Sequence, residues 1–163
     1  MRTRFLASLS LVVAGLIAGA SPAFASGGCA SYSGSFTAVA PSVCLSPVGI
    51  CTHGTLTGGF PSTYDFTADT LVPTGNPGEF AYTGHSIITT PPGAELFGSD
   101  SGLLEMLGNG TASFVTTVNI VGGTRQYEGA SGTFVAPDIL NLVTGATVGT
   151  YTATICKAED VQG

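Results

Sequence analysis

The chain predicts an all-β fold: a single domain, an eight-stranded antiparallel barrel, following a secretory signal peptide. Three observations lead there. Eight short segments alternate their side chains with period two and are rich in Thr, Val, Phe and Tyr, the pattern of half-buried antiparallel strands. The breaks between them carry Gly, Pro and Asn turn chemistry,. After the N-terminal apolar run no segment has a helical period; "GLLEMLG" is apolar but short and flanked by glycines,.

The N-terminus sets the compartment. "MRTRFLASLSLVVAGLIAGASPAFA" has Arg2 and Arg4, an apolar run from Phe5 to Ala20, then Ala23-Phe24-Ala25. A charged start, an apolar middle and a small-residue cleavage site make a signal peptide over residues 1–25 rather than a membrane anchor. Cleavage after Ala25 leaves Ser26 to Gly163, 138 residues and one domain,. No second stretch approaches the ~20 continuous apolar residues of a membrane helix. The expected product is secreted, extracellular or periplasmic, with no membrane association after processing. Its basic residues are then Arg125 and Lys157 against ten acids, a net charge of −8. Such a surface repels phosphate backbones and anionic lipid, so nucleic acid is excluded as a partner.

The strands follow in order. "SYSGSFTAV" sets Tyr32, Gly34, Phe36 and Ala38 against Ser31, Ser33, Ser35 and Thr37; "THGTLTGGF" alternates less cleanly. "STYDFTADTLV" sets Tyr64, Phe66 and Ala68 against Asp65, Thr67 and Asp69. "EFAYTGHSIITT" and "AELFGSDSGLLEML" come next, followed by "TASFVTTVNIV", with Phe114, Thr116, Val118 and Ile120 on one face. "GTFVAPDILNL" and "ATVGTYTATIC" complete the set. Pro-containing "PTGNPGE" and "PPGAE" break the ladder, because Pro cannot donate to it,. Asn109-Gly110 predicts a type I′ hairpin,, and Thr144-Gly145 a further turn. The spacing fits a barrel or a sandwich. Closure removes exposed edges, and eight strands leave an interior that holds one small ligand.

All four cysteines lie after residue 25, which predicts two disulfides in an exported chain,. Four cysteines allow three pairings. The favoured one staples "CLSPVGIC" through Cys44–Cys51 and ties first strand to last through Cys29–Cys156, which suits closure. Cys51-x-His53 near Cys44 lacks a fourth ligand at any recognised spacing, so no metal is expected.

"NIVGGTRQYEGASGTF" followed by "GATVGTYTATI" resembles the second half of the allene oxide cyclase-like and dirigent-like barrels. Their pattern is a strand, a Gly-Gly-Thr-Gly-x-(Tyr/Phe)-x-Gly-Ala-x-Gly connection, and a strand. Gly122, Gly123, Thr124, Tyr127, Gly129, Ala130 and Gly132 match, while Arg125 stands where glycine is usual. "GSDSG" from Gly98 to Gly102 is similar to the preceding strand, and the resemblance covers residues 50–157. It implies an eight-stranded barrel with an apolar cavity. It transfers neither an activity nor a set of functional residues, and the cysteines and N-terminal segment lie outside it.

Candidate site residues come from the strand faces. Asp100 shares a face with Leu96, Leu104 and Met106. A carboxylate in an apolar barrel has a raised pKa suited to proton transfer; a bulge at Ser99–Gly102 would instead solvate it. Tyr82, on the face of Phe80 and Ile88, is the second catalytic candidate, weighed against a core tyrosine satisfied by backbone. Arg125, the sole arginine after processing, is a ligand contact for an anion at the barrel mouth or forms a rim pair with Glu128. Tyr127 is placed to cap one end. His85 sits beside Ile87 on the opposite face from Tyr82, a candidate ligand contact set against a surface role. G-x-S-x-G, H-E-x-x-H and P-loop motifs are absent,, and no cofactor is expected. The expected role is to hold a small apolar molecule, guiding its cyclisation or isomerisation without a cofactor. The alternative is a non-enzymatic extracellular structural or carrier protein, and homo-oligomerisation is left open.

Overall fold

A computed structural model describes residues 28–158. The signal-peptide reading falls on residues 1–25, outside the described residues. Eight strands run β1 Cys29–Val39, β2 Cys51–Gly58, β3 Ser62–Pro73, β4 Glu79–Thr90, β5 Ala94–Met106, β6 Thr111–Gly123, β7 Ser131–Asn141 and β8 Thr147–Cys156. A single 3-10 turn, Arg125–Tyr127, interrupts the β6–β7 connection. Each strand pairs antiparallel with the next, and β1 pairs with β8, so the barrel closes.

Both expected disulfides form, Cys29–Cys156 and Cys44–Cys51. Cys29 and Cys156 are direct cross-strand partners at the closing seam. Such bonds form and persist in oxidising compartments.

Two irregularities shift the period-two pattern. In the β3–β4 ladder Asp69 is the extra residue, since Ala68 pairs with Gly84 and Thr70 with Thr83. The bulge moves Leu71, rather than Thr70, to the inner face. In the β5–β6 ladder Val121 is the extra residue, between Phe97↔Gly122 and Gly98↔Ile120. Each bulge bends its strand and strengthens the local twist, which helps a sheet close.

The 107–110 connection is not a two-residue type I′ turn. That turn needs positive φ at both central residues, but positive φ occurs at Gly108 and Gly110 and not at Asn109. The Asn109 side chain instead accepts from the Thr111 backbone N–H at 3.2 Å. Its amide oxygen competes with the backbone for that donor, as in an Asx turn.

The two barrel ends are unlike. One carries the β2–β3, β4–β5 and β6–β7 connections and is filled by aromatic rings. Phe60, from the β2–β3 turn, meets Tyr32 at 5.0 Å, Phe134 at 5.8 Å and Tyr127 at 6.1 Å between centroids. Its backbone N–H donates to the Tyr151 hydroxyl at 3.0 Å, and that hydroxyl donates to the Thr57 carbonyl at 3.0 Å. These four rings, with the Phe60 backbone tied to Tyr151, make a closed floor,. The other end carries the 40–50 loop, stapled at Cys44–Cys51 and anchored by the Ala68 N–H donating to the Ile50 carbonyl at 3.0 Å.

Candidate functional site

The interior is not filled throughout. A cavity of about 230 Å³ runs from mid-barrel to the end carrying the 40–50 loop. Phe36, Tyr64, Phe66, Tyr82, Phe114 and Tyr151 form much of its wall, and Ala40, Ile50, Leu142 and Gly145 stand at its rim. Alternation within each strand aims these side chains inward, and the difference between the ends is one of volume. The floor gathers rings from a turn and a 3-10 segment as well as from strands, whereas Ala136 and Ala40 leave space above.

Two carboxyl groups enter this interior. Asp100 on β5 is 2 % exposed, and the strand is not bulged at Ser99–Gly102. The Ser86 hydroxyl donates to its Oδ1 at 2.9 Å, while Oδ2 is buried with no hydrogen-bond partner. Burial pushes its pKa from 3.8 to about 6, against the pull of the Ser86 hydrogen bond, the nearby His85 and the Tyr64 hydroxyl; Asp69 adds a further push upward,. Room for this arrangement comes from Gly98, where a Cβ would lie 2.4 Å from Ser86 Oγ and 2.9 Å from Asp100 Oδ1.

Asp138 on β7 lines the cavity itself. It lies on the inward face with Phe134, Ala136 and Leu140, in register with Phe114 on one side and Gly149 on the other. A Cβ at Gly149 would come within 2.5 Å of the Asp138 Cβ, so glycine there makes the space. Asp138 Oδ1 is buried without a partner. Burial alone pushes its pKa from 3.8 to about 7.

Two tyrosines complete the group. Tyr82 exchanges a short hydrogen bond with the Thr116 hydroxyl. Its pKa rises through burial and through the charges of Asp138 and Asp100, partly offset by the Thr116 bond. Tyr64, stacked on Phe66, is pushed well above its ordinary value by burial, then by Asp100, Tyr82 and Asp138. Near neutral pH the site therefore holds two carboxyl groups that gain and lose protons and two neutral phenols that donate hydrogen bonds.

Asp100 and Tyr82 are thus brought together in the interior. The other three sequence candidates stand elsewhere. Tyr127 is buried in the floor against Phe60, at the end opposite the cavity rim. Arg125 sits at that same far end, and its guanidinium donates to the Pro92 carbonyl at 2.9 Å rather than pairing with Glu128. Its φ of 57° is left-handed, the conformation that favours glycine at this place. His85 faces solvent and pairs with Asp69 at 3.1 Å. Alternation along β3 turns that carboxylate outward beside it, and no part of His85 lines the cavity. Met106, expected beside Asp100, has left the interior and is 45 % exposed at the strand end.

Sequence reasoning missed Asp138 and Tyr64. Tyr64 was on an inward face, but its hydroxyl counts only once Asp100 is across from it. Asp138 shares a face with Phe134 in "GTFVAPDILNL" by simple alternation, but the opposite face is apolar too, so alternation alone does not say which one turns inward.

A closed antiparallel barrel with a carboxylate-bearing apolar cavity is the class these features define. Comparison with known proteins finds no matching family model, no matching curated protein and no matching solved structure, so the site is read from its own residues.

Proposed function

We propose that this chain is a secreted ligand-holding barrel that encloses a small apolar molecule in its open half, in the manner of the allene oxide cyclase-like and dirigent-like proteins. The observation that carries the reading is the cavity of about 230 Å³ walled by aromatic and aliphatic side chains. A barrel serving only as a structural element gains by filling such a space, since interiors are packed to crystal-like density. Binding sites are concave and apolar with a few placed polar groups, and Asp138, Tyr64, Tyr82 and Thr116 are those groups here. A cavity of about 150 Å³ admits benzene, so this one suits a ring with a short substituent.

A second reading, cofactor-free isomerisation or cyclisation, is favoured by the two carboxyl groups at about 6 and about 7. Values near neutrality suit a general acid and a general base.

Native mass spectrometry of the protein, purified without organic solvent, tests the binding reading. A retained small molecule is expected in the wild type and should be lost in Ala136→Phe, which fills the cavity. A wild type that carries nothing, and that takes up no member of a panel of apolar ring compounds, would sink the proposal.

A further inference from the structure

We propose that the cavity's occupant is an amine with an apolar body, seated with its ammonium on the Asp138 carboxylate. The inference rests on the ligand-holding reading above and names the chemistry of the ligand.

The argument starts from what the cavity wall lacks. Among the described residues none of those lining it is Lys, Arg or His. The charged group that opens onto the space is Asp138, whose Oδ1 is buried and has no donor. Buried acceptors are otherwise almost always paired, so an unpaired one in a cavity marks where a ligand donor goes. A carboxylate ligand would set like charge against Asp138 with no cation to neutralise either. An alkyl ligand would leave the carboxyl unpaired, and an alcohol would supply one hydrogen bond from an uncharged donor. An ammonium makes such a bond with both partners charged, so Coulomb attraction adds to it.

Two further features favour the ammonium over the alcohol. Aromatic faces surround the same space: Phe114 is the direct cross-strand partner of Asp138, and Tyr82 meets Phe114 at 5.7 Å. Such faces attract a cation within about 6 Å of the ring centroid. The whole chain also carries a formal net charge of −6, which draws cations toward it and slows the approach of anions.

The titratable groups facing Asp138 from the packed strands are Tyr64 on β3, Tyr82 on β4 and Tyr151 on β8, with Asp100 on β5 beyond Tyr64. The phenols stay neutral and keep their protons, so they add hydrogen bonds without opposing a cation. Asp100 adds a second negative charge when ionised. Binding of the amine should therefore weaken on acidification as the Asp138 carboxyl takes up its proton.

The test is calorimetric titration of the full secreted protein at about pH 8 with four ligands of one shape: 2-phenylethylamine, 2-phenylethanol, 3-phenylpropionate and propylbenzene. The amine should bind about ten-fold more tightly than the alcohol, and the carboxylate should not bind. D138N should bring the amine down to the alcohol's affinity while still binding propylbenzene, which shows that the cavity is intact. Equal affinities for amine, alcohol and propylbenzene would overturn the amine assignment and leave the ligand-holding barrel standing. So would D138N binding the amine as the wild type does. Failure of all four, propylbenzene included, would remove the ligand-holding reading and this inference with it.

Discussion

Replacing Asp138 by Asn should stabilise the barrel in alkali and do little in acid. The unfolded chain releases this proton near 3.8, the folded protein near 7, and burial is the cause. Between those values the folded state holds the extra proton, so stability falls as pH rises. Below 3.8 both states carry the proton and the full stability is present; above 7 both have lost it and the loss is complete. Each pH unit across that window costs about 1.4 kcal/mol, and the whole window about 4 kcal/mol. Asn keeps the shape without the charge, so the variant should gain up to about that amount at pH 8 and nothing measurable at pH 4. Urea unfolding at pH 4, 6 and 8, with disulfides intact, measures it. The general repulsion among surface acids also destabilises the protein as pH rises, but it cancels in the difference between variant and wild type. A difference that is flat with pH, or a variant less stable at pH 8, would refute the claim that Asp138 is ionised in a desolvated place.

Two other expectations concern the frame. Breaking Cys29–Cys156 by double Ser substitution should cost more than breaking Cys44–Cys51, because the loops span 127 and 7 residues. Loop entropy gives about 5 against about 2 kcal/mol, and urea midpoints in the reverse order would contradict that account. Tyr151→Phe should cost about 1–3 kcal/mol, since it strands the buried Phe60 N–H and a carbonyl at Thr57,; a loss too small to detect by the same unfolding assay would mean the floor is held by ring packing alone.

The sequence by itself determined the eight strands, where the chain turns between them, and that its four cysteines would form two disulfides. Period-two alternation is a local property, and "SYSGSFTAV" or "TASFVTTVNIV" carries it without help from the rest of the chain. Closure was expected because it removes exposed edges, and the favoured Cys29–Cys156 pairing, which is information about one contact, suited it. It also placed Asp100 and Tyr82 on faces that turn inward. What it left open depends on several strands at once. In "GTFVAPDILNL" both faces carry apolar residues, Phe134, Ala136 and Leu140 against Val135, Pro137 and Ile139, so alternation finds two faces without saying that the one with Asp138 is inside. The extra residues Asp69 and Val121 shift the phase of a ladder, and a bulge is visible only when two strands are set side by side. Which end is full and which is hollow was decided only by the tertiary structure. Phe60 enters from a turn and Tyr127 from a 3-10 segment, and both go to one end. The empty space at the other is the difference between the barrel's width, set by all eight strands and their stagger, and the summed volume of the side chains that point into it.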